Sequence, residues 1–132
     1  MKHFLFLFLF FLICTLSSQD SKLYEKETFI IENDTLNYRI LKPLNFNPNK
    51  QYPVHLFLHG SGERGNDNIS QLIHGGKLFI KKENREKYNS WVIFPQCLKN
   101  DRWPSISSDN WNETFNDEIK KPNKSLELVI KL

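Results

Sequence analysis

Only two cysteines stand in the 132 residues, and Cys14 lies inside an apolar run at the N-terminus. With that run removed, Cys97 is alone, and a lone cysteine forms no internal disulfide. The charge is mixed: lysines scatter among acids, with Lys81-Lys82 followed by Glu83 and Lys120-Lys121 following Glu118. A net charge of +3 without a basic block predicts no nucleic-acid partner. No apolar run is long enough to span a bilayer. No glycine pattern followed by Lys-Ser/Thr is present to cradle a phosphate, and no cofactor is implied. His55 and His59 are four apart, which suits metal ligands on a helix, but they fall in and just after a predicted strand, so no metal is expected. No internal repeat appears either.

What is present begins with "MKHFLFLFLFFLICTLSS". A short basic start, an unbroken apolar stretch from Phe4 to Cys14 and small residues at Ser17 and Ser18 form a secretory-signal pattern. Residues 1–18 are therefore expected to be a signal peptide, leaving a secreted or periplasmic chain from about Gln19 with no membrane contact. Leu12-Ile13 before Cys14 lacks the small residue that a lipid-anchor site resembles. Asn-x-Ser/Thr sequons occur at Asn33, Asn68, Asn112 and Asn123, relevant only in a host that glycosylates.

The length of 132 residues and the 39% apolar content of the whole chain describe one modest domain. Residues 23–32 and 35–41 read as strands; Leu36, Tyr38 and Ile40 alternate with Asn37 and Arg39. Asn33-Asp34 between them suits a hairpin turn. The proline- and asparagine-rich stretch 42–53 is a loop. Val54 to Leu58 is almost wholly apolar, as in a parallel strand covered on both faces. Ile69, Leu72, Ile73, Gly76, Phe79 and Ile80 recur at helical spacing, with His74 on that helix. Gly75-Gly76 predicts a break or a close backbone approach there. "SWVIFPQ" (90–96) is a second buried strand, followed by a polar loop with Trp103 and Trp111. Pro122 fits a helix first turn, and Leu126, Val129 and Ile130 form an apolar stripe. This order implies an α/β sheet in which an antiparallel hairpin leads into parallel strands with crossover helices. Four strands leave an apolar strand as an open edge, so the chain reads as unfinished.

The chemistry concentrates in "LFLHGSGERGNDN", residues 56–68. A nucleophile elbow reads Gly-x-Ser-x-Gly and turns directly into a helix. Around Ser61 the outer positions are His59 and Glu63, and polar turn residues follow, so Ser61 is not expected to attack. The alternatives that remain are a structural glycine turn and a loop of small residues whose backbone N–H groups converge on developing negative charge. Acyl transfer needs such donors for its tetrahedral intermediate.

"YPVHLFLHGSGERGNDN", "QLIHGGKLF" and "SWVIFPQC" with its tryptophan loop resemble the N-terminal half of secreted bacterial α/β-hydrolases. The similar families are predicted peptidases, phospholipase/carboxylesterases and dienelactone-hydrolase-like esterases. The resemblance covers residues 23–132. It implies that the Ser61 and Gly62 N–H groups belong to an oxyanion hole, with Gly60 allowing the turn. It further implies that His59, Gly60, Glu63, Arg64 and Gly65 shape the loop, Glu63 and Arg64 through ion pairs and hydrogen bonds to backbone. Pro95-Gln96-Cys97 and Trp103 match the border of the substrate cleft, making Trp103 a substrate-binding candidate. The substrate class implied is a small-molecule or polymer ester or peptide.

The family triad of serine, acid and histidine comes later than the residues matched here, and no Gly-x-Ser-x-Gly occurs in the 132 residues. Asp67, Asp101, Asp109 and Asp117 sit in predicted loops without a histidine partner. The domain at 19–132 thus reads as a partial α/β-hydrolase domain, carrying the oxyanion-hole loop but no triad, and inactive alone. A different class also fits: a non-enzymatic secreted binding module using Trp91, Trp103 and Trp111 against glycans, although Trp91 heads a buried strand and suits a core.

Overall fold

The computed structural model describes residues 21–103 and 122–132. The leader, with its predicted cleavage region, lies outside them, as do Trp111, Asp109, Asp117 and Asn112. Four strands form one sheet: β1 (Glu25–Ile31), β2 (Asp34–Leu41), β3 (Val54–Leu56) and β4 (Trp91–Pro95). Their spatial order is β1-β2-β4-β3. β1 and β2 pair antiparallel, as do β2 and β4, while β3 and β4 run parallel. The chain between β3 and β4 carries two short helices, α1 (Gly76–Ile80) and α2 (Lys82–Lys87), and α3 (Lys124–Lys131) follows later.

The two-residue turn joining β1 and β2 is Glu32-Asn33, because Ile31 already faces Asp34 across the ladder. The sequence pattern placed it one residue later. Glu32 carries the left-handed backbone, φ 54°; a positive φ here matches the twist of the flanking strands.

Side-chain alternation gives the sheet two faces. On one, Tyr24, Leu41, Leu72, Val92 and Phe94 are buried, with Phe57, Phe79 and Ile80 against them. On the other, Leu36 packs with Leu128 and Val129 of α3, flanked by Phe29, Ile31 and Trp103. Helices on both faces of a sheet whose last pair is parallel make this an α/β arrangement.

β3 departs from its expected burial. Its side chains stay open, with Val54 60% and Leu56 48% exposed. As the outer strand it has a neighbour on one side only, and α3, on the face carrying these residues, packs over β2 instead. Phe57 N–H donates to Ile93 C=O and Trp91 N–H to Pro53 C=O. By the alternation of a parallel ladder, Val54 and Leu56 therefore turn their backbone groups to the open edge.

The predicted helix over 69–80 is also divided. Ser70–Leu72 form a 3-10 turn and α1 starts only at Gly76, so His74 lies in the turn between them. The reason is at Gly75, where a Cβ would meet Phe57 Cζ at 2.8 Å and Phe94 Cε1 at 3.0 Å. Backbone presses on core aromatics there, and Tyr24 Oη donates to Gly76 C=O at 2.7 Å. Ile69 and Ile73 point outward while Gln71 and Leu72 are buried. α3 likewise buries Ser125, Leu128 and Val129 and leaves Ile130 70% exposed. Asn123 occupies its N-cap position without a side-chain capping bond, so Pro122 precedes that position instead of opening the first turn.

Candidate functional site

β3 and β4 run parallel, so the segments leaving their C-terminal ends, 59–65 and 96–103, emerge side by side. Such ends of parallel strands are where α/β sheets place ligands. His59 ties the two segments together. Its side chain is 1% exposed, and its Nε2 accepts the Cys97 N–H at 2.9 Å. An acceptor nitrogen carries no proton, so Nδ1 holds it and donates to Gly60 C=O at 2.6 Å. The His59 carbonyl accepts the Trp103 indole N–H at 2.8 Å, and the two rings meet edge to face at 5.1 Å.

Glu63 and Arg64 both tie the loop down. Arg64 Nε donates to Ser61 C=O at 2.8 Å and Nη1 to Asp101 C=O at 2.9 Å. The Glu63 carboxylate is 3.1 Å from Nε2 of the exposed His74 and 3.9 Å from His59 Nδ1. A Cβ on Gly60 would stand 3.1 Å from Glu63 Oε2, so the small residue lets that carboxylate fold back under the turn. Gly65 N–H donates to Cys97 C=O at 2.9 Å.

Ser61–Glu63 form a single 3-10 turn. Glu63 N–H reaches back to Gly60 C=O, whereas the Ser61 and Gly62 N–H groups have no acceptor among the described residues. The first N–H groups of a helical turn are open by construction. Here both belong to exposed residues on a turn strapped down at each end. His59, Gly60, Ser61 and Arg64 line a cavity of about 260 Å³ together with Cys97, Arg102 and Trp103. Ser61 and Trp103 therefore share one cleft. Gly62 stands on open ground, with nothing within 4 Å of a Cβ.

A deeper layer holds the strap. Gln96, 1% exposed, accepts the Asn68 N–H at 2.8 Å and donates to Glu63 C=O at 3.1 Å and Asp67 Oδ1 at 2.8 Å. Asn68, left-handed at φ 52°, donates through Nδ2 to Glu27 C=O and accepts from Gln71 Nε2. Its carbonyl accepts Arg39 Nε at 2.6 Å. Burial alone would push Asp67 up. Hydrogen bonds from the Ser70 hydroxyl and N–H, the Ile69 N–H and Gln96 outweigh it and hold the carboxyl well below the usual range. Asp101 is also held low: burial opposes ionisation, but Ser125 at the start of α3 donates to it from hydroxyl and backbone. Burial pushes the Cys97 thiol up, against a hydrogen bond with Ser125, which suits packing better than reactivity.

The sequence reading gave Asn68, Asp67, Arg39 and Ser125 no role in the site. Asn68 carried a faint signal, an asparagine among turn residues, since asparagine tolerates the left-handed region. Its sequon is masked by the fold: the residue is 4% exposed and its amide is committed.

Among the described residues one serine and one histidine touch. His55 Nδ1 is 2.9 Å from Ser90 Oγ, but Ser90 Oγ donates its proton to Tyr88 C=O at 2.8 Å. Oγ is then the acceptor and the imidazole the donor, the reverse of what activates a nucleophile. His59 does not serve Ser61 as a base, because both of its ring nitrogens are engaged elsewhere.

No family model matches the sequence, and no curated protein matches it either. Among solved structures, the crystal structure of a thermostable esterase superposes with a TM-score of 0.71 at 29% identity over 86% of this chain. The chain is similar in fold to an esterase. It spans 30% of that esterase's length.

Proposed function

We propose that residues 59–65 form the oxyanion-holding loop of an exported serine hydrolase acting on esters or peptides. The observation that carries this reading is the pair of uncommitted N–H groups at Ser61 and Gly62, fixed at the end of a parallel strand in an esterase-like fold. When a nucleophile adds to a carbonyl, charge gathers on its oxygen. Donors already in place stabilise that charge without reorganising, and losing one costs about 3–4 kcal/mol of barrier in other enzymes. The straps from His59, Arg64 and Gln96 supply that rigidity, and Trp103 lines the adjoining cleft where an acyl or leaving group would lie. The attacking serine, its histidine and the orienting acid come from outside the described residues.

The 132-residue chain is therefore expected to give no turnover of p-nitrophenyl acetate above background. Hydrolysis abolished by a serine-directed reagent would place a nucleophile within the chain and overturn this assignment.

A further inference from the structure

A second cavity is lined by His55, four residues before His59 of the oxyanion loop, a span of about 13 Å at roughly 3.3 Å per extended residue. It stands apart from the acyl-transfer reading and does not depend on it. The strand register creates its floor. Val92 faces Leu41 on one side and His55 on the other, so the three side chains form a row on one face of the sheet. Leu78 and Phe79 of α1 and the segment after α2 close over that row, leaving about 260 Å³. An apolar cavity of about 150 Å³ already admits benzene, so a substituted ring fits.

The polar groups around it are mostly committed. Asn89 binds the Leu44 backbone through both its oxygen and its nitrogen. Asn84 Nδ2 donates to Leu78 C=O and Arg85 Nη2 to Lys42 C=O. Ser90 Oγ donates to Tyr88 C=O and so accepts from His55 Nδ1. That contact fixes the imidazole with its proton on Nδ1 and leaves Nε2 without a partner among the described residues, on an exposed histidine that lines the cavity. The geometry points to a binding site for a small phenol-class molecule, its ring over Leu41 and Val92 and its hydroxyl donating to His55 Nε2. A hydrocarbon leaves that acceptor unused; an aryl carboxylate brings an acceptor to an acceptor at His55 and would have to turn to Arg85, whose Nη2 is held by Lys42 C=O.

The test titrates the 132-residue chain with phenol, toluene and benzoate while following the Leu78 and Val92 methyl signals by NMR. Phenol is expected to bind about fivefold tighter than toluene, the net worth of one hydrogen bond, and benzoate weakest. His55→Leu should remove the preference and leave toluene affinity unchanged. Ser90→Ala, which frees the ring to carry its proton on Nε2, should shrink the preference without emptying the site, and serves if His55→Leu fails to fold. Equal affinity for phenol and toluene, benzoate binding tightest, or methyl signals unmoved by all three would overturn the proposal.

Discussion

Replacing Gln96 by leucine tests whether the loop is held by the buried amide. The two side chains are close in volume, so the change removes hydrogen bonds and leaves little cavity. Asn68 N–H loses its acceptor inside a residue that is 4% exposed; an orphaned buried donor costs about 1–3 kcal/mol. Glu63 C=O loses its donor, adding about 1 kcal/mol. Asp67 keeps its bonds from Ile69 and Ser70 and is exposed, so its share is small. The sum is about 3 kcal/mol, a large part of the roughly 5–15 kcal/mol that holds a domain folded. With a urea slope near 1.5 kcal/mol/M, the midpoint falls by about 2 M. Tryptophan fluorescence reads the midpoint, and hydrogen exchange at the Asn68 and Gly65 amides reads the loop. A midpoint shift under about 0.5 M with Asn68 still protected would refute the reasoning.

Two further outcomes follow from the same geometry. Asp67 is held low in the folded state, so between that value and about 3.9 the unfolded chain binds more protons. Its stabilisation is complete above about pH 5 and fades as pH falls; Asp67→Asn should flatten the acid limb of a stability–pH curve, and parallel curves would count against the assignment. At the open edge, Leu56→Lys should lower light scattering from self-association at micromolar concentrations and shift stability by no more than about 0.5 kcal/mol. Unchanged scattering would show that β3 is not the associating edge.

The strands were legible because their signal is local. Alternation in 35–41 marked a strand, although Asn37 and Arg39 are as half-buried as Tyr38 and Ile40 because both faces are covered; the apolar run of 90–96 reports burial directly, and the open apolar edge followed from counting strands. The helices were less so. Helical spacing over 69–80 names candidate core positions, but the close approach of Gly75 to Phe57 and Phe94 decides which turn is kept. In α3, the buried set shifts to Ser125, Leu128 and Val129 because Ser125 must reach Asp101 and Leu98. Those partners lie more than twenty residues away. At the site, glycine and charge spacing marked the loop itself. The layer beneath it depends on Gln96 meeting Asn68 across 28 residues, which no periodicity encodes.

The central claim is that Ser61 and Gly62 present backbone donors to an oxyanion. It is tested most directly by titrating ¹⁵N-labelled chain with methylphosphonate, a tetrahedral oxyanion. The account predicts that the Ser61 and Gly62 amide protons move downfield together and saturate. Gly62→Pro, which deletes one donor, should weaken binding, while Gly62→Ala should leave it intact because the space around that residue is open. Amides at 61 and 62 that stay fixed while lysine-rich segments respond, or a Gly62→Pro variant that binds equally well, would contradict it.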